Sequence, residues 1–246
     1  MDPSSLLKFN PIALKEMNSV SLLKRIDTKF LTTESKLLEV LPLLNNEYRI
    51  LEIEDLRLMN YATLYFDTED LKSYNEHHNG KAKRQKIRMR KYIDSDLCFI
   101  EIKEKQNSGM TNKTRCTIGD LETILSEKSK EFIKKTTKKD LVLKPVLYNY
   151  FQRFTLVNTQ RSERVTIDSC LNYKTNDATK ALQNIVVIEV KQEKQNVQTP
   201  IYKALKANKI QTSSFSKYCI GVANLVEGIK ANRFKELNLK INKLTN

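Results

Sequence analysis

Between Arg84 and Arg90 every second residue is a cation: Arg84, Lys86, Arg88 and Arg90, with Ile87 and Met89 between them. Side chains alternate across a β-strand, so this segment is predicted to be a strand with one basic and one apolar face. The pattern recurs along the chain. Glu101, Lys103 and Lys105 oppose Ile100 and Ile102, and Glu189, Lys191 and Glu193 oppose Ile188 and Val190. Arg25, Asp27 and Lys29 alternate with Ile26 and Thr28; Lys113 and Arg115 share a face; Arg164, Thr166 and Asp168 oppose Val165 and Ile167.

A charged face turned to bulk water accounts for any one such strand, because antiparallel sheets are commonly solvated on one side. Six segments with a cationic bias fit that picture less well, since like charges directly opposite each other destabilise strand pairing. Clustered Arg and Lys become favourable around a polyanion, and the planar fork of Arg suits phosphate oxygens. The pattern predicts an α+β fold built on an antiparallel β-tunnel, a closed barrel of about eight strands with a charged interior and flanking helices.

Charge supports a polyanionic partner. The 246 residues carry 43 Lys+Arg against 29 Asp+Glu, a formal charge of +14. That excess suits nucleic acid, a nucleotide, polyphosphate or an anionic membrane without choosing among them. Aromatic content of 8% with no Trp gives few stacking platforms, which argues against single-stranded nucleic acid. Five glycines form neither a P-loop nor a dinucleotide fingerprint. The only histidines, His77 and His78, precede Asn79-Gly80 in what is predicted to be a loop, which disfavours a histidine triad or multi-histidine metal site. Cys98, Cys116, Cys170 and Cys219 are dispersed, as expected of free thiols in a reducing cytoplasm. No segment reaches the roughly 18 apolar residues of a membrane helix, and the first residues lack a secretory pattern, so a cytoplasmic protein is expected.

The chain is expected to be one domain over 1–246, with 1–20 as a lead segment. Strands are predicted at 48–53, 61–67, 84–92, 97–105, 110–117, 146–157, 163–173 and 185–193, after a short alternating stretch at 25–31. Asn79-Gly80 and Asn107-Ser108-Gly109 supply turn chemistry. Helices are predicted at 33–47, at 118–139 starting near Asp120, at 200–209 with Pro200 first, and at 216–242.

In order, the chain contains Lys24-Arg25-Ile26-Asp27-Thr28-Lys29-Phe30, Tyr65-Phe66-Asp67-Thr68, Lys86-Ile87-Arg88-Met89-Arg90-Lys91-Tyr92, Phe99-Ile100-Glu101-Ile102-Lys103, Glu163-Arg164-Val165-Thr166-Ile167-Asp168, Val187-Ile188-Glu189-Val190-Lys191 and Ser214-Phe215-Ser216-Lys217-Tyr218. This set resembles the VTC domain, the polyphosphate polymerase domain of the vacuolar transporter chaperone complex, and especially its stand-alone prokaryotic relatives. That domain belongs to the triphosphate tunnel metalloenzyme superfamily. The resemblance covers about 22–222.

The resemblance implies transfer of the terminal phosphoryl group of ATP to inorganic polyphosphate, with Mn²⁺ or Mg²⁺. It implies catalytic roles for Lys29, Arg88, Arg90, Lys103 and Lys217, phosphate contacts from Arg25, Lys113, Arg153, Arg164 and Ser216, and metal binding by Glu189. Glu101 is expected to assist the metal or to pair with Lys103. Each residue also has a plainer role open to it. Glu189 can be an ion-pair partner of neighbouring lysines, Ser216 the N-cap of the last helix, and Lys217 an exposed first-turn cation. Lys134-Lys135 and Lys138-Lys139 read as a solvated helix end.

This sequence departs from the family pattern at three places. Phe151-Gln152-Arg153 stands where a Tyr-x-Arg element is usual, Ser214 where the vacuolar polymerase has lysine, and His77 near an expected arginine. Regulatory and membrane segments of the vacuolar complex are absent, so a membrane-protein partner would be encoded elsewhere. A tunnel triphosphatase and a non-catalytic polyphosphate-binding module are the alternative functions.

Overall fold

In the computed structural model, which describes residues 3–20, 25–108 and 110–245, the strands are β1 (Pro11–Ala13), β2 (Ile26–Thr33), β3 (Arg49–Glu52), β4 (Met59–Asp67), β5 (Arg84–Tyr92), β6 (Leu97–Lys105), β7 (Thr111–Ile118), β8 (Lys144–Asn158), β9 (Glu163–Lys174), β10 (Thr179–Leu182) and β11 (Ile185–Gln192). The helices are α1 (Glu34–Val40), α2 (Lys72–His78), α3 (Glu127–Thr137), α4 (Pro200–Ala207), α5 (Lys217–Leu225) and α6 (Lys235–Thr245). Ser21, Lys24 of the first motif and Gly109 of the anticipated turn lie outside the described residues.

The strands form one sheet whose main path is β2-β11-β9-β8-β4-β5-β6-β7, antiparallel throughout. Off this path, β10 pairs with β9, and β3 pairs with β8 and, in parallel, with β1. Among the described residues no ladder joins β7 to β2, so the expected barrel is present as an eight-strand path without its closing seam. The outer edge of β2 is used otherwise: Phe30 bridges Thr212, and the Ser213 N–H donates to the Lys29 carbonyl at 2.8 Å. Residues 111–115 of β7 stay exposed.

Apolar faces of the charged strands turn outward and are roofed by helices. Phe30, Val165, Ile167, Ile188 and Val190 bury in one cluster with Leu37 and Val40 of α1 and with Ile201 and Leu205 of α4. Leu64, Phe66, Ile87, Met89, Ile100 and Ile102 bury in a second, with Ile133 of α3. Each such side chain contributes roughly 1.5–3 kcal/mol when fully buried, and this drives the opposite, charged faces to the inside. A third cluster brings α5 to the inner side of the sheet, where Phe215, Tyr218 and Val222 meet Leu31, Tyr65, Leu147, Tyr173 and Val187. A Cβ at Gly221 would lie 2.4 Å from Leu147 Cδ2 and 2.7 Å from Tyr173 Cδ1, so the absence of a side chain permits this close approach.

Several predicted elements are corrected. His77 and His78 form the last turn of α2, not a loop. Buried Asp67 organises that helix, accepting hydrogen bonds from the N–H groups of Thr68, Ser73 and Tyr74 and from the Tyr218 hydroxyl. α3 starts after its N-cap Ser126, not near Asp120, which instead accepts from Lys91 and the Leu121 N–H. The predicted helix 33–47 shortens to α1 and a 3₁₀ turn at Leu41–Leu43, where Pro42 cannot donate. The predicted helix 216–242 is two helices, α5 and α6, separated by a loop with Gly228 at φ +72°. No helix among the described residues is long and apolar enough to cross a membrane.

Candidate functional site

The inward faces enclose a cavity of about 550 Å³. Thirteen Lys or Arg side chains line it against three carboxylates, Asp27, Asp168 and Glu189. All eleven residues singled out from sequence line this space: Arg25, Lys29, Arg88, Arg90, Lys103, Lys113, Arg153, Arg164, Glu189, Ser216 and Lys217. Strand register explains the convergence. Glu189 lies between Lys29 of β2 and Thr166 of β9, Asp168 is opposite Arg153 of β8, and Arg88 is opposite both Tyr65 of β4 and Glu101 of β6.

Three carboxylates, buried Glu101 and Asp168 and half-buried Glu189, are each held by two cations. Glu189 receives Lys29 Nζ on Oε1 and Lys191 Nζ on Oε2, both at 2.7 Å. Glu101, fully buried behind the lining, receives Arg88 at 2.6 Å and Lys113 on its other oxygen. It does not form the expected pair with Lys103. Asp168 receives Arg153 through two nitrogens at 2.5 and 2.8 Å, and also Lys217. Burial opposes ionisation of all three acids, but the flanking cations outweigh it and hold each below the usual carboxylate range. Burial prevails at three of the four bridging lysines: Lys113, Lys191 and Lys217 are lowered to about 8, with the acids opposing the shift, whereas at Lys29 burial is outweighed by the Glu189 charge, which raises it.

Other cations in the cavity have no carboxylate partner among the described residues. Arg90 reaches only Thr63 Oγ1 at 3.4 Å and sits 5.8 and 5.7 Å from the Tyr61 and Phe151 ring centres. Arg164 Nε is buried without a hydrogen bond. Lys103 is held well below its ordinary value, first by the Arg88 charge and then by burial. Phe151, at the place of the usual Tyr-x-Arg tyrosine, also lies under Arg153 and Lys217, at 5.3 and 4.7 Å. Its ring quadrupole favours three converging cations without neutralising them.

Ser216 caps α5, accepting from the Cys219 N–H, while Lys217 is the first helical residue and reaches Asp168. Lys217 is thus half-buried in the site and not an exposed first-turn cation. Ser216 also accepts from Lys86 Nζ at 2.8 Å, and Lys86 donates to His77 Nδ1 at 2.7 Å. Burial, then the Lys86 charge, lower His77 to about 3, which keeps it a neutral acceptor. The inward placement of Lys86, Lys191 and Asp168 was readable from alternation, but their partners were not. The pairing of His77 with Lys86 joins α2 to β5 and left no sequence signal.

No group of three or more His, Cys, Asp or Glu among the described residues forms a metal cage. The donor set does fit a divalent ion that takes one carboxylate from protein and the rest of its ligands from phosphate oxygens and water, the usual arrangement for Mg²⁺ at phosphates. Glu189 supplies that carboxylate from the cavity wall, with its oxygens balanced by lysines that a phosphate could draw away.

The model of the VTC domain family matches residues 24–226. No curated protein matches the chain significantly. Among solved structures, a provisionally assigned adenylate cyclase from Bacillus halodurans is 14% identical, covering 86% of this chain and 97% of its own, with a TM-score of 0.48. A Hippeastrum protein, provisionally an adenylyl cyclase and described as having a dominant triphosphatase activity, is 14% identical over 83% of this chain and 98% of its own, with a TM-score of 0.48. A conserved hypothetical protein from Pyrococcus furiosus is 14% identical over 80% and 99%, with a TM-score of 0.44. The family match spans most of the sequence and every motif strand around the cavity: this chain belongs to the VTC domain family.

Proposed function

We propose that this chain is a metal-dependent polyphosphate polymerase, acting as a single cytoplasmic domain that transfers the terminal phosphoryl group of ATP to the end of a polyphosphate chain. The phosphates of ATP lie among Lys29, Arg88, Arg90, Lys103 and Lys217, with Arg25, Lys113, Arg153, Arg164 and Ser216 as further contacts. Fixed cations stabilise the charge on the transferring group, and positioning supplies most of the remaining acceleration. Glu189 would hold Mn²⁺ or Mg²⁺, which when bound neutralises phosphate charge and orients the transferred group. A phosphate chain between Lys29 of β2 and Lys103 and Lys113 of β6 and β7 would draw the open edges together into a tunnel.

One observation carries the choice of acceptor. Asp168 and Glu189, lining the cavity, and Glu101 behind it are each clamped between two cations, while Asp27 is paired with Arg25. Asp168, Glu189 and Glu101, held so acidic, are poor bases for activating water. The end of a polyphosphate chain is already an anionic nucleophile and needs no base. The arrangement favours transfer to phosphate over hydrolysis.

The test is incubation of the protein with ATP and Mn²⁺ or Mg²⁺, resolving long-chain polyphosphate from phosphate, beside Glu189→Ala and Arg88→Ala. Long chains made by wild type and lost in both variants support the polymerase. Free phosphate alone identifies a triphosphatase. No turnover, with tight polyphosphate binding that weakens with salt, identifies a binding module.

A further inference from the structure

The Tyr65-Phe66-Asp67-Thr68 motif carries a buried carboxyl group outside the cavity lining, at the end of β4. The hydrogen-bond donors to Asp67 are all neutral: Oδ1 accepts from the Thr68 and Ser73 N–H groups, and Oδ2 from the Tyr74 N–H and, at 2.5 Å, from the Tyr218 hydroxyl. Burying such a group is costly unless hydrogen bonds compensate it, so this set of bonds ties its donors together. Both elements that supply the more distant donors lead to the cavity. Tyr218 follows Lys217 in the first turn of α5, and its ring lies 5.0 Å from that of Tyr65, two residues before Asp67. At the far end of α2, His77 accepts from Lys86, which donates to Ser216 at the cap of α5. The approach to α5 does little to fix that turn, because residues 211–216 contain only the isolated bridge at Thr212. A lysine there also meets the positive end of the helix dipole. Apolar packing of α5 on the sheet is not directional, whereas a hydrogen bond with a defined angle fixes rotation about the helix axis.

Resting on the functional reading above, we propose that Asp67 is a positioning residue for the reaction: by holding the Tyr218 hydroxyl it sets the rotation of the first turn of α5, and with it the place of the Lys217 ammonium. Lys217 is otherwise aimed only by Asp168 and by the Phe151 ring at 4.7 Å, both of them across the cavity wall from α5. An incoming phosphate competes with Asp168 for that ammonium. When it does, the Asp67–Tyr218 bond keeps the root of the side chain in place, so Lys217 turns to the anion without the helix following it.

Calorimetric titration with inorganic tripolyphosphate of wild type, Tyr218→Phe, Lys217→Met and the double variant tests this as a double-mutant cycle. Tyr218→Phe keeps the ring and its packing and removes only the hydroxyl. It is expected to weaken binding about fivefold in the wild-type background and to have no effect once Lys217 is replaced, because the loss travels through that ammonium. Asp67→Asn, which loses an acceptor oxygen but keeps the shape, should show the same dependence on Lys217. Denaturant titration of the same variants separates this from general damage, since stability lost with the hydroxyl is lost in both backgrounds. An affinity loss that persists in full beside Lys217→Met, or no loss in the wild-type background, overturns the positioning role while leaving the functional reading intact. Wild type that fails to bind tripolyphosphate overturns the functional reading and the role with it. Should Asp67→Asn fail to fold, Tyr218→Phe decides the outcome alone.

Discussion

Raising the pH should strengthen the free protein and weaken its hold on phosphate at the same time. Lys191 and Lys217 are lowered to about 8 in the folded state, chiefly by burial. In the unfolded chain a lysine titrates near 10.4, so between pH 8 and 10.4 the unfolded state binds more protons and stability rises with pH. Integrated from pH 7 to 9.5, each lysine contributes about 2 kcal/mol. For a chain of this size that corresponds to a rise in Tm of roughly 4–8 °C per lysine. Anion binding runs the other way, because a phosphate favours the charged ammonium. Above pH 8 the affinity for tripolyphosphate should fall about tenfold per pH unit for each lysine that must be charged. Thermal melts of the free protein at pH 7, 8.5 and 9.5, beside calorimetric titrations at constant ionic strength, measure both trends. Affinity that stays flat to pH 9.5, or a Tm that falls over the same range, would refute the reasoning.

Glu189→Ala releases Lys29 and Lys191 from their shared carboxylate. It should tighten tripolyphosphate binding by about tenfold while abolishing metal-dependent turnover; weaker binding would contradict this. Glu101→Gln leaves Arg88 and Lys113 without their buried counter-charge and should cost about 3–5 kcal/mol. The resulting drop in Tm is roughly 6–20 °C, partly recovered by added tripolyphosphate, and an unchanged melt would count against the bridge. Gly221→Ala should destabilise by about 1–3 kcal/mol in denaturant titration, since the new methyl meets Leu147 and Tyr173.

Inward and outward faces were legible because strand alternation is a local property: Ile87 and Met89 against Arg88 and Arg90 already separate core from cavity. Helix α2 was not, since it begins after Leu71 in the left-handed region and is organised by Asp67, a residue of the preceding strand. The partner of Glu101 was mistaken for a similar reason. Lys103 is two residues away along the strand, about 6.6 Å of rise, whereas Arg88 sits directly across the ladder at about 5 Å. The open seam between β7 and β2 depends on residues 212–213, which meet β2 from far along the chain and carry no strand pattern. The eleven residues assigned to the site through the resemblance all line the cavity. What sequence could not supply was how their charges are divided among bridges, which follows from register and from the docking of α5.

The most direct measurement is a crystal structure with inorganic tripolyphosphate and Mn²⁺ soaked in. Phosphate density inside the cavity, between Lys29 and Glu189 on one side and Arg88, Arg90 and Lys103 on the other, is the expected result. Anion confined to outer lysines such as those of α3, with the interior of the sheet empty of phosphate, would contradict it.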